Sequence, residues 1–316
     1  SSVDTPFFYL VSGIWAGNAG SLLLWGWLVS LSATIMLWRR RVGHDIMAYA
    51  APVLLVTQLF FVVLCFVENL FGGLSPVPVD GMGLTGALQN PLTVFHPPTL
   101  LAGWAFAAAP FAIAVGALLS RKLDGEWVTS ARRWALLSWL LLGVGNVLGM
   151  WWAYSASGWG GYWWWIPVEN AGLMPWLLMT AFLHATMMQR RRGLFKSWSI
   201  LLIIFAFVLT VLCAAITRTD LDALHGFGQL PSGTALLVFS LVALVGSLTL
   251  VIMRRKDMKS APGDDAFVSG ETTFFINNLV LVISTIAIFI GTTFPFFSEL
   301  FTGHKIVQDE HFFNQV

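Results

Sequence analysis

Lys196-Ser-Trp-Ser-Ile-Leu-Leu-Ile-Ile-Phe-Ala-Phe-Val-Leu-Thr-Val-Leu-Cys-Ala-Ala-Ile216 follows closely on Arg190-Arg191-Arg192. The uncharged stretch 197–216 is long enough to cross the ~30 Å of bilayer hydrocarbon as a helix. Seven further stretches have the same character. The expected spans are 18–38, 46–70, 98–120, 131–154, 171–189, 196–216, 233–253 and 272–299. The bilayer core offers no partners to backbone polar groups, so these spans must be helical. The expected fold is all-α: a polytopic transmembrane bundle forming one domain over 1–316. Composition agrees, with 57% apolar and 10% charged residues, against roughly a quarter charged in soluble domains.

Basic residues give the orientation. Runs at Arg39-Arg40-Arg41, Arg121-Lys122, Arg190-Arg191-Arg192 and Arg254-Arg255-Lys256 follow alternate spans. By the positive-inside rule these loops are cytoplasmic, which puts 71–97, 155–170, 217–232 and the tail after about 300 outside. The polar opening at Ser1 shows no cleavable leader, and upstream residues are expected. Cys65 and Cys213 sit in apolar runs and read as small buried hydrophobes. A net charge of +1 leaves no footprint for nucleic acid, and none is expected as a partner.

Nine of the sixteen tryptophans fall between Trp134 and Trp176. The loop 155–170 holds Trp159, Gly160, Gly161, Tyr162, Trp163, Trp164 and Trp165, then Ile166-Pro167-Val168-Glu169-Asn170. Flat aromatic faces, side-chain-free glycines and indole N–H donors suit a flat apolar ligand with carboxylate edges, such as a porphyrin. The competing reading is an interfacial aromatic belt. Asn170 reads as a helix N-cap. Glu169 reads either as a partner of the helix dipole or as a group near the ligand's carboxylates.

Imidazole is the natural axial ligand of heme iron. His96 precedes the third span and His225 lies in the loop before the seventh, so topology sets both beside the tryptophans. Each also has a structural reading, as a helix-start residue and a wet loop residue. His184 lies inside the fifth span near its cytoplasmic end, where an ionisable group is costly. It is either the ligand of a second heme within the bundle or a residue hydrogen-bonded to a neighbouring helix. His44, His304 and His311 read as solvated.

Trp159–Trp165 followed by Pro167-Val-Glu-Asn-Ala-Gly-Leu-Met-Pro-Trp176 resembles the tryptophan-rich "WWD" signature of heme-handling membrane proteins. Gly20-Ser-Leu-Leu-Leu-Trp25, Leu88-Gln-Asn-Pro91, Phe95-His96-Pro97-Pro98 and Phe312-Phe313-Asn314 extend the likeness to the CcmF-type cytochrome c heme lyases, including the nitrite-reductase-associated NrfE-like variant. The resemblance implies that His96 and His225 bind substrate heme over the tryptophan loop. It implies that His184 is one of two intramembrane histidines holding a permanent b-type heme. The implied activity joins heme vinyl groups to the thiols of a Cys-x-x-Cys-His apocytochrome c, with no catalytic side chain acting as nucleophile.

Implied partners are a heme chaperone, the apocytochrome, thiol-handling maturation subunits and membrane lipid. The implied location is a bacterial inner membrane or the mitochondrial inner membrane, with the working loops on the periplasmic or intermembrane side. Ile166 stands where the signature has aspartate, and Asn18-Ala19 replaces a polar pair. A first helix and a second half with the other intramembrane histidine are expected elsewhere, in a longer chain or a separate one. The alternatives are a heme relay without lyase activity and a structural paralog in a larger complex.

Overall fold

A computed structural model describes residues 2–39, 41–70, 72–73, 76–81, 83–84, 88–123, 125–156, 161–192, 195–218, 230–258 and 270–315. Those residues form helices and no strands. The helices are α1 (Phe7–Ala16), α2 (Asn18–Arg39), α3 (His44–Val67), α4 (Leu92–Phe106), α5 (Ala108–Ser120), α6 (Gly125–Ala156), α7 (Pro167–Arg192), α8 (Lys196–Ile216), α9 (Pro231–Met253), α10 (Gly270–Thr302) and α11 (Glu310–Asn314). Among them lie the eight expected spans, with α4 and α5 together making the third.

The third span is the centre of the bundle. It is 94% buried in its most apolar window, whereas the α3 and α9 spans are 28% and 17% buried. Its composition explains the position: Ala105, Ala107, Ala108, Ala109, Ala112, Ala114 and Ala117 are all buried. Small side chains let neighbouring backbones approach closely, and close packing is what joins helices in lipid. The lipid-facing helices present Leu, Val, Ile and Phe instead.

The third span differs from the sequence expectation in two ways. It begins at Leu92 rather than 98, and it is broken at Ala107. Pro110 has no N–H to bond the carbonyl of Phe106, so the helix loosens there. Earlier in α4, Pro97 leaves the carbonyl of Thr93 without its helical partner. The indole Nε1–H of Trp15 donates to that oxygen at 3.3 Å, so the gap is closed from α1.

Candidate functional site

One end of the bundle gathers the start of α4, the end of α6, the loop before α7 and the short helix α11. Helix α4 carries His96, and Gly145 and Gly149 of α6 let the two helices meet there. The His96 Nδ1–H donates to the carbonyl of Gly145 at 2.8 Å. A carbonyl can only accept, so Nδ1 carries a proton, and in a neutral ring Nε2 is the acceptor nitrogen. This is the orientation a metal-ligating histidine usually has, with its second nitrogen held by a carbonyl. Gly149 makes room for it: a Cβ there would lie 2.8 Å from His96 Cε1. His96 therefore sits within the first turns of α4, not in the loop ahead of the helix.

His96, Asn146, Met150, Trp163, Ile166 and Glu169 are among the residues that line a cavity of about 70 Å³. Small-molecule clefts measure roughly 300–1,000 Å³, so a broad ligand has to rest on its rim. Trp163 lines it with a buried Nε1–H that has no hydrogen-bond partner among the described residues.

The tryptophans of the loop separate into different tasks. Trp163 turns to the cavity. Trp165 turns to the far end of the chain, stacking on Phe313 at 5.3 Å and 9° and donating Nε1–H to Asn314 Oδ1 at 2.9 Å. Its φ of +55° is left-handed, a conformation that costs a bulky residue about 1–3 kcal/mol and needs such anchoring. Gly291 of α10 admits this contact, since a Cβ there would collide with the rings of Phe312 and Phe313. Tyr162 stacks on Tyr154 at 4.4 Å. Gly161 lies against the Trp164 ring. Trp159 and Gly160 lie outside the described residues, as does His225.

Glu169 is the brace of the loop. Its Oε2 accepts from the backbone N–H of Trp164 at 2.7 Å and of Ile166 at 3.3 Å. The carbonyl of Ile166 accepts the first helical bond, from Asn170 N–H at 3.0 Å. Ile166 is thus the N-cap of α7, Pro167 is at the first helical position and Glu169 at the third, the reciprocal half of a capping box. The expectation that Asn170 caps the helix is corrected, because the helix starts at Pro167. Buried Asn170 instead donates Nδ2–H to the carbonyl of Trp165 at 3.0 Å and to Thr292 Oγ1 at 2.9 Å. An aspartate at 166 would stand at the cap; isoleucine leaves that half of the box empty.

Glu169→Ala is expected to leave two amides without an acceptor, costing about 2 kcal/mol. Glu169→Gln keeps an acceptor oxygen and should cost less. Hydrogen exchange at the Trp164 amide, unchanged in the alanine variant, would contradict this bracing role.

His184 is half-buried on α7, with its Nδ1 2.8 Å from the Asn277 side-chain nitrogen on α10. Either Asn277 Nδ2–H donates to Nδ1, or the amide turns and its oxygen accepts from Nδ1–H. Only the second arrangement leaves a lone pair on Nε2.

Sequence reasoning passed over Arg218. It is 2% exposed and bridges helices at the same end of the bundle. Nε donates to Asn18 Oδ1 at 2.7 Å, one terminal nitrogen to Ser21 Oγ at 2.8 Å, and the other to the Ala214 carbonyl at 3.0 Å. Glu68 holds the neighbouring Ser232 amide at 2.7 Å. Burial lowers the guanidinium to about 10 and the Glu68 carboxylate opposes that shift, so Arg218 is cationic at neutral pH. Its signal in the sequence was position: the one arginine on the outward side, where Lys305 of the tail is the other basic residue.

A family model described as "Cytochrome C assembly protein" matches residues 15–225. The cytochrome c-type biogenesis protein CcmF of Pseudomonas fluorescens is 38% identical over 99% of this chain and 48% of its own length. CcmF of Escherichia coli is 35% identical over 99% of this chain and 49% of its own length. NrfE of Haemophilus influenzae is 34% identical over 100% and 50%. A solved cytochrome c heme lyase CcmF is 31% identical with a TM-score of 0.76, covering 98% of this chain and 45% of that one. The chain thus spans about half the length of the curated relatives it matches. With eight helices among the described residues long and apolar enough to cross a bilayer, it is an integral membrane protein that belongs to the cytochrome c assembly protein family.

Proposed function

We propose that this chain handles heme for c-type cytochrome maturation, binding it where His96 meets the tryptophan loop and orienting it toward an apocytochrome. One observation carries the reading: the bond from His96 Nδ1–H to the Gly145 carbonyl holds the imidazole beside a cavity that Trp163 of the tryptophan loop also lines. That pairing suits an iron porphyrin, with imidazole for the metal and an aromatic face for the ring plane. When bound, heme supplies the vinyl carbons that the thiols of a Cys-x-x-Cys-His segment add to.

The chain's own part is positional. His96 presents its imidazole at the cavity, and Glu169 and Asn170 hold the loop in shape. Fixed geometry of this kind contributes by placing reactants rather than by donating a nucleophile. His225, seven residues past Arg218, is proposed as the second axial ligand, and 159–165 as the aromatic shelf. His184 is proposed as one ligand of a b-type heme inside the bundle, with Asn277 setting its tautomer. The partners in this reading are a heme chaperone, an apocytochrome and thiol-handling subunits. The tryptophan end faces the periplasmic or intermembrane side of an inner membrane, because the basic loops lie at the other end.

The test is a hemin titration of the detergent-purified chain, followed by absorbance under reducing conditions. Wild type should develop a low-spin histidine-ligated spectrum. His96→Ala should weaken binding tenfold or more while leaving any signal that depends on His184. Superimposable wild-type and His96→Ala titrations would end the proposal.

A further inference from the structure

We infer that a cleft at the opposite end of the bundle binds the phosphate headgroup of an anionic phospholipid. The cleft has a volume of about 310 Å³ and lies between the end of α2, the start of α6 and the α4–α5 junction. It lies about 28 Å along α6 from the tryptophan loop, at 1.5 Å per residue between Arg133 and Trp152. It does not depend on the heme reading.

Three arginines, Arg39, Arg41 and Arg133, are among its lining residues. All three residues are exposed, and none forms an ion pair among the described residues. Among the described carboxylates at this end, Asp45 pairs with Lys122 at 3.5 Å. The frame is built rather than incidental. Ser130 Oγ–H donates to the carbonyl of Arg41 at 3.0 Å, tying the α2–α3 turn to α6. Three arginines without an ion pair among the described residues, on a braced frame, suit a phosphate-like anion, whose oxygens match guanidinium forks.

The walls decide for a lipid over a soluble anion. Phe106 and Trp134 form an aromatic side, with ring centroids 6.0 Å apart. From Leu137, which lines the cleft, an exposed apolar stripe runs on along α6 through Leu140, Val144 and Val147. That stripe faces hydrocarbon, so the cleft opens sideways into the acyl region as well as to water. Tryptophan and arginine at a span end match the headgroup level of a bilayer. Basic pockets between transmembrane helices take anionic headgroups by this combination.

The experiment is native mass spectrometry of the detergent-purified chain titrated with dioleoylphosphatidylglycerol. One tightly retained lipid per chain is expected, and dioleoylphosphatidylcholine should not displace it. Arg39→Gln/Arg41→Gln/Arg133→Gln should weaken retention by roughly tenfold or more. The milder Arg133→Gln alone should shift it in the same direction. Lys122→Gln/Arg255→Gln/Lys256→Gln, with the same charge loss at the same end, should retain the lipid as wild type does. The proposal is overturned if the cleft variants hold the lipid as well as wild type, if the control triple loses it equally, or if phosphatidylcholine competes evenly. Displacement by millimolar inorganic phosphate would equally overturn it, by making the cleft a free-anion site.

Discussion

Arg218→Met is expected to destabilise the bundle by about 3 kcal/mol, the cost of removing one member of a buried charged network. Methionine fills much of the space but offers no donor. Asn18 Oδ1 and Ser21 Oγ lose the partners they have at 2.7 and 2.8 Å, and the Glu68 carboxylate loses its neighbouring positive charge. Arg218→Lys should fall between the two, because an ammonium restores charge but not the three-way fork. Adding Glu68→Gln to Arg218→Met should recover part of the loss, since the stranded carboxylate is then neutral. Unfolding in mixed micelles titrated with dodecyl sulfate measures these differences. A loss under about 1 kcal/mol for Arg218→Met would mean that the network is nearly neutral in energy.

The second large effect is expected at Gly149. A Cβ there would lie 2.8 Å from His96 Cε1 and 3.2 Å from Nδ1. Gly149→Ala must push the imidazole aside and Gly149→Val must do so further. Either breaks the 2.8 Å bond to the Gly145 carbonyl. Changing the group that orients a metal-ligating histidine typically costs 10- to 100-fold in affinity, so hemin binding should fall by at least tenfold in Gly149→Val. The helix itself should persist, because valine is tolerated in an apolar helix. A Gly149→Val variant that binds hemin as wild type does would separate His96 from the ligand.

Much of the architecture was written in hydropathy. Each span is dominated by one requirement, covering hydrocarbon with apolar side chains, and that requirement is local. Helix ends were less legible because they depend on backbone partners. Helix α7 starts at Pro167 because Glu169 reaches back to the Ile166 amide, and α4 extends back to Leu92 because the Asn90 side chain accepts from the Leu92 N–H at 2.9 Å. The Arg218 network could not be read in advance, since Asn18 and Ser21 are 200 and 197 residues away along the chain. The tryptophan loop was legible as a cluster but not in its division of labour. Sequence gave no sign that Trp165 would turn from Trp163 toward Phe313, because that choice is made by a left-handed torsion and a distant ring.

The Trp165 anchor also bears on biosynthesis. Its partners are Phe313 and Asn314, the latter 149 positions downstream, and Phe313 packs on the Gly291 notch in the eighth span. A ribosome delivers residues 159–165 well before these partners, and chains generally acquire structure from the N-terminus onward. The loop's finished shape is therefore a late event, set after the last of these helices has entered the bilayer.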